Sequence, residues 1–241
     1  MKNKTTLITG GSSGIGATVA KNLLSKGEMV VTLGLKLPNW KHDKLTSYKA
    51  DLTDNAQTKK IAHLISSRYE INNIVHNAGM ILPNTLPDIR TDDVLMLSNL
   101  HLAAPIFLTQ ALLPNMMSIK KGRIVFISSR ASMGMPTRSV YAATKAGIHG
   151  LAKTWALELA KNNITVNVIA PGPVQTQNFW DLVPKNGQVE KEISDNIPVG
   201  RIGNTADIAN AVEFFLDDKS SFVTGQILYV CGGASLRGLP T

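Results

Sequence analysis

Hydrophobic positions along this chain fall into short, nearly unbroken runs separated by longer stretches of helical spacing. The runs at 6–9, 29–33, 47–50, 73–76, 123–128, 164–169 and 226–230 read as strands. Ile124-Val-Phe-Ile127 is apolar at every position, as a strand covered on both faces must be; a strand with one wet face would alternate. Between the runs, apolar residues recur at the helical period, with helices beginning near Ile15, Asn55, Asp92, His101, Tyr141 and Thr205. This alternation predicts an α/β fold, a Rossmann-type doubly wound parallel sheet of about seven strands with helices on both faces. No linker, repeat or charge run divides the 241 residues, so one domain over 1–241 is expected. Residues 177–204 lack clear periodicity and contain Phe179, Trp180 and Pro184. Loops of that length in a compact domain are usually functional, which predicts a substrate lid.

In such a sheet, ligands gather beyond the carboxyl ends of the strands, where the winding order reverses. Gly10, Asp51, Asn77, the pair Ser128 and Ser129, and Pro171 all fall at those ends. The first strand runs straight into Gly10-Gly-Ser-Ser-Gly-Ile-Gly16, and helical spacing follows at once. Strand, glycine turn and helix start form the context of a dinucleotide site. Gly10 permits the tight turn, Gly14 lets backbone approach pyrophosphate, and Gly16 allows close helix–strand packing. Ser12, Ser13 and Ile15 complete the turn, and the free amides of the helix start would face the phosphates.

A second cluster lies in Ser139-Val-Tyr-Ala-Ala-Thr-Lys-Ala-Gly147. On a helix, Tyr141 and Lys145 share one face a turn apart. A free phenol titrates near 10. A neighbouring ammonium is expected to favour the phenolate and bring Tyr141 toward useful proton exchange.

The net charge of +8 raises nucleic-acid binding, but the cations are scattered, with one short cluster at Lys120, Lys121 and Arg123. Aromatic residues make up 5% and do not interleave with basic ones as a stacking platform requires. Attraction to an anionic cofactor or carrier fits the charge better. No apolar run approaches the ~18 residues of a membrane helix, and the first residues leave no room for a leader. The single cysteine, Cys231, cannot form an internal disulfide, which fits a cytoplasmic location. No metal site is expected.

Together the glycine turn, Asn77-Ala-Gly79, a serine ahead of Tyr141-x-x-x-Lys145, and Pro171-Gly172 resemble the short-chain dehydrogenase/reductase family, including its 3-oxoacyl-carrier-protein reductases. The resemblance runs from Lys4 to about Gly233. It implies that Tyr141 is the acid/base, that Lys145 tunes it and reaches the nicotinamide ribose, and that a serine orients the substrate oxygen. Spacing back from Tyr141 points to Ser128; spacing along the strand points to Ser129, which is favoured because slipping a buried strand by one residue reverses every side chain. The resemblance places His101 where the family usually has an asparagine holding a lysine-linked water, with Asn99 on another side of the helix. His101 either serves the relay or is simply a buried histidine. Asp51-Leu52 would meet adenine, Asn77, Ala78 and Gly79 the cofactor or the neighbouring strand, Pro171 and Gly172 the cofactor, and Val174 and Thr176 its carboxamide. Met133, Met135 and Arg138 are further cleft candidates. Gly34 occupies the position where an acid would select NAD(H), and Lys36 can reach a phosphate, so NADP(H) is favoured and NAD(H) is not excluded. A small-molecule or acyl-thioester substrate, the latter carried by a protein that docks at the Lys120 cluster, and a homotetramer are further implications. The stripe Ile148, Leu151, Trp155 and Leu159 either supplies an interface or faces the domain's own sheet. The alternative to an enzyme is a catalytically silent dinucleotide-binding protein.

Overall fold

The computed structural model describes residues 4–236; residues 1–3, on which the leader expectation partly rests, lie outside that span. Strands β1 (Thr5–Thr9), β2 (Met29–Gly34), β3 (Leu45–Lys49), β4 (Asn73–His76), β5 (Gly122–Ile127), β6 (Ile164–Pro171) and β7 (Ile227–Val230) form one sheet in the order β3-β2-β1-β4-β5-β6-β7. Every pairing is parallel, from Leu7 beside Val31 to Ile169 beside Leu228. The winding reverses between β1 and β4, which opens a crevice above their carboxyl ends.

Successive strand residues face opposite sides, and the sheet uses both. Leu7, Ile74, Phe126 and Val166 face α2 (Asn55–Arg68), α4 (Ala104–Ser118) and α5 (Ser139–Leu159). Ile8, Val75, Val125 and Ile169 face α1 (Gly14–Ser25) and α8 (Thr205–Leu216). Phe126 is fully buried between the His76 and Trp155 rings; truncating such a side chain costs about 3–5 kcal/mol. Ile148 and Leu159 are buried in the same cluster, with Leu151 and Trp155 packed on it, so the α5 stripe faces this domain's own sheet.

Three expectations need correction. The third strand starts two residues earlier than its hydropathy suggests, because this edge strand is only half covered and its apolar pattern is weak. The two helices expected at Asp92 and His101 form one continuous run, α3 (Thr91–Ser98), a π-helical turn (Asn99–Ala103) and α4. By length and composition that run could cross a membrane, against the expectation of no such segment. Its Leu97, Leu100, Leu108, Leu112 and Met116 are instead buried in this fold. Finally, the lid stretch is not structureless. It holds α6 (Gln177–Trp180), capped by Thr176, and α7 (Gln188–Asp195). Both ends are pinned by a bridge between Val174 and Gly203, with Gln175 donating to Gly203 O at 2.9 Å and Gly203 donating to Pro173 O at 3.0 Å.

Candidate active site

A cleft of about 910 Å³ opens above the switch point. Its walls carry Gly10, Ser12, Ser13, Gly14 and Ile15 from the first turn, Asn77, Ala78 and Gly79 after β4, and Pro171, Gly172, Val174 and Thr176 after β6. Ser128, Ser129, Tyr141 and Lys145 supply another side, with Met135 and Arg138. Met133, by contrast, is half exposed and not part of the wall.

The first turn suits an anion. Helices α2 and α8 satisfy their own first amides, through Asp54 and through an Asn204–Asp207 capping box. Helix α1 does not: Ser13 makes no capping hydrogen bond and no acid sits in the first turn. Its amides are therefore left as donors at the positive end of a helix dipole facing the cleft. Gly14 holds φ at +55°, where L side chains are strained, and a Cβ on Gly16 would stand 2.4 Å from Gly10 O. Gly16 thus serves packing beneath the turn rather than the cleft itself. These residues fit a dinucleotide.

Gly34, Lys36, Asp51 and Leu52 lie outside the cleft wall. Gly34 ends β2 beside Gly10, and Lys36 is exposed. Asp51 accepts from the Thr53 amide and hydroxyl at 2.8 and 2.7 Å. It does not cap α2, a role taken by Asp54. The Leu52 side chain is buried in the core, so only its backbone can face a ligand. Asn77 ties strands together, donating to Thr9 O at 3.0 Å and Gly10 O at 3.1 Å.

The two serines separate cleanly. Ser128 is buried, donates to Lys145 O at 2.9 Å and contacts His149 Nε2 at 2.9 Å. Ser129 lines the cleft with Tyr141 and accepts from the Ala131 amide at 3.1 Å. Lys145 is buried, donates to Ile127 O at 2.8 Å, and lies 5.7 Å from the Tyr141 ring centre. Burial pushes its ammonium down to about 7. Tyr141 departs from expectation. Burial holds its phenol above the usual value, with Ser129 and the Arg138 charge pulling the other way. Desolvation outweighs the neighbouring Lys145, itself half-discharged near neutrality.

His101 sits in the π-turn, 1% exposed, with its ring edge-on to Tyr141 at 5.7 Å. Thr144 donates to Tyr141 O at 3.1 Å, so its oxygen accepts from His101 Nδ1 at 2.8 Å. Nε2 is then a bare acceptor, buried without a partner, and it crowds the same point beside Gly79 as Lys145 Nζ. Burial, then the Lys145 charge, push this imidazole down to about 2, so it stays neutral. Asn99 does face elsewhere, donating to Thr53 O at 3.1 Å. A cavity of about 10 Å³ behind Lys145 is lined by His101 and by His76. His76 is a second buried histidine, pushed to about 3 by burial; sequence reasoning passed over it, although a histidine directly after Ile74-Val75 in a predicted central strand was a usable signal. Arg130, directly after Ser129 on the cleft wall, was passed over too.

Cys231 follows β7 and is buried against Ser235. Of the Lys120 cluster, Arg123 is buried and Lys121 is paired with Asp218 at 2.8 Å, so it is not a free basic patch. Among the described residues no group of histidine, cysteine, aspartate or glutamate is placed to hold a metal.

Residues 10–235 match the family model described as enoyl-(acyl carrier protein) reductase. The chain is a short-chain dehydrogenase/reductase. This reductase is 34% identical to the (2S)-[(R)-hydroxy(phenyl)methyl]succinyl-CoA dehydrogenase subunit BbsD of Thauera aromatica, over 98% of both chains. It is 33% identical to the 3-oxoacyl-[acyl-carrier-protein] reductase FabG of Thermotoga maritima, over 97% of this chain and 98% of that one. Among solved structures, it matches a 4-hydroxyisoleucine dehydrogenase complexed with NADH at a TM-score of 0.92 and 26% identity, over 98% and 100% of the chains. It also matches a putative NAD(P)-dependent gluconate 5-dehydrogenase from Beutenbergia cavernae with bound NADP, at 0.89 and 28% identity over 96% of each. The reductase therefore interconverts CH–OH and C=O groups with a nicotinamide cofactor. That sets aside the catalytically silent alternative.

Proposed function

We propose that this protein is an NADP(H)-dependent reductase of ketones, with 3-oxoacyl thioesters as the leading substrates, and that Ser129, Tyr141 and Lys145 carry the reaction. The reading rests on one arrangement: these three side chains form one wall of the cleft that the uncapped start of α1 faces. A nicotinamide held by the first turn and the loop after β6 would supply or take the hydride. The Ser129 hydroxyl orients the substrate oxygen. Tyr141 donates its proton to that oxygen as the carbonyl carbon gains hydride, and removes it in the oxidative direction. Lys145, held near 7 by burial, exchanges a proton at neutral pH and restores Tyr141. Neutral His101, whose unpartnered Nε2 crowds the same point beside Gly79 as Lys145 Nζ, has a positioning role toward the lysine.

NADP(H) is favoured over NAD(H) because Gly34 brings no carboxylate to the end of β2 and Lys36 is exposed nearby. Residues 177–204 act as a lid, hinged where Val174 and Gly203 pair. Leu157 at 83% exposure and the fully exposed Phe222 support assembly into a homotetramer. A cytoplasmic location fits the single cysteine.

Cofactor oxidation measured with 3-oxoacyl thioesters and simple ketones tests this. We expect kcat/KM with NADPH to exceed that with NADH by about tenfold or more, and Tyr141→Phe to lower kcat by roughly 10²–10⁴-fold. Full activity in that variant removes the mechanism, and a clear NADH preference removes the cofactor assignment.

A further inference from the structure

We infer that the substrate carries a carboxylate, bound by Arg130 beside the reacting carbonyl; the inference rests on the reductase reading above. Arg130 follows Ser129 on the cleft wall and opens the 3-10 turn Arg130–Met133, for which Ser129 is the cap. It is half-buried, its Nε is fully buried without a partner, and its one hydrogen bond is a long contact of 3.4 Å from Nη1 to Ala234 O.

Three arginines elsewhere in the molecule are treated differently, although Arg68, off the cleft, also forms no ion pair among the described residues. Arg90, Arg123 and Arg201 each reach an aspartate, Asp93, Asp218 and Asp207 respectively. Arg130 and Arg138, the two on the cleft wall, form no ion pair among the described residues. A guanidinium keeps its charge at any working pH, and taking it half out of water without a counter-charge is costly. Such a group is stabilised by an anion that arrives with the ligand, and its planar fork matches a carboxylate.

Position says which anion. The phosphates of a dinucleotide belong at the start of α1, on the first turn, whereas Arg130 adjoins the serine that holds the substrate oxygen. Met80, Ile81, Phe179, Leu182 and Ile193 give this side apolar surface, beside the polar Arg138, Gln177, Asn178 and Asn196. Glu192 on α7 is the one acid on the wall, and its Oε1 is engaged by Gln188 Nε2 at 3.0 Å. A guanidinium without an ion pair, directly after the serine on the cleft wall, suits an oxo acid, or an oxoacyl thioester whose acyl group bears a free carboxylate.

The test compares matched aliphatic oxo acids and their methyl esters. The wild-type enzyme should prefer the acid in kcat/KM by on the order of tenfold to a hundredfold, the worth of a charge-assisted bond. Arg130→Gln should collapse that ratio to about one, while Arg130→Lys, which keeps the charge but loses the fork, should retain part of it. The KM for cofactor should stay within about twofold, which separates a substrate carboxylate from the cofactor phosphates. Equal use of acid and ester by the wild type, or a ratio unchanged in Arg130→Gln, overturns the inference. If no substrate is turned over, the reductase reading fails for this panel, and calorimetry of the oxo acids with the enzyme and NADP⁺ still decides. Acid binding that Arg130→Gln abolishes upholds the carboxylate site; binding that it leaves intact, or no binding to the wild type, rejects it.

Discussion

Two buried cations sit at opposite edges of the same sheet and are handled in opposite ways. Arg123 stands at the amino end of β5, where Nη1 donates to Gly122 O at 2.8 Å and Asn163 O at 3.2 Å, with Asp218 at 3.9 Å. Lys145 stands at the carboxyl end, with Ile127 O and no acid. Burial lowers the pKa of both, but Asp218 and Asp217 pull Arg123 back up, whereas nothing does so for Lys145. Arg123 keeps a counter-charge, although its Nε is buried without a partner; Lys145 has none, and its burial brings its proton affinity near neutrality.

The comparison can be broken by removing each charge. Lys145→Met should abolish turnover and yet raise stability at pH 7. The sign follows from linkage: between about 7 and 10.5 the unfolded chain holds the Lys145 proton that the folded chain has released, so stability of the native protein rises with pH across that window and the burial cost is full below it. The variant's advantage, about 3–5 kcal/mol at most from the size of the displacement, should shrink as pH rises toward 10.5. Urea unfolding at several pH values measures it, and a variant less stable than wild type at pH 7 would dissolve the contrast. Arg123→Met should do the reverse, lowering stability by about 3 kcal/mol as its buried partners lose their donor, with kcat retained.

A smaller effect sharpens the same picture. His76 and His101 remain neutral in the fold, with pKa values pushed to about 3 and about 2. Above 6.5 they cost nothing. As pH falls below that, the unfolded chain takes up protons that the folded one refuses, and stability declines by up to about 1.4 kcal/mol per pH unit for each histidine. Denaturation between pH 5 and 7 should show this slope, and His76→Phe should remove about half of it; an unchanged slope in that variant would mean His76 is not held neutral.

Much of this was legible in the chain. Apolar runs covered on both faces located the central strands, and the glycine turn and Tyr141-x-x-x-Lys145 located the cleft, because backbone geometry and helical spacing are local properties. The burial of Ser128 and the greater exposure of Ser129 were also readable, since strand register is locked by burial. What escaped depends on three-dimensional surroundings. The direction of the Tyr141 shift reflects how much water the fold removes, which spacing does not report. The short helices α6 and α7 are held by caps and by the pinned ends of their loop rather than by a long periodic stripe. Arg130 reads as an ordinary charge until it is seen to form no ion pair among the described residues.

The π-turn at Asn99–Ala103 has a consequence for how His101 came to face Lys145. A wide turn accommodates one residue more than an α-helical turn does, so α4 is rotated in phase relative to α3. Deleting any one residue of that turn would turn the upstream segment by about 100° against α4, bringing the flanking leucines rather than the imidazole toward the lysine. A length change of one, with every side chain type preserved, would thus be enough to rewire the floor of the site.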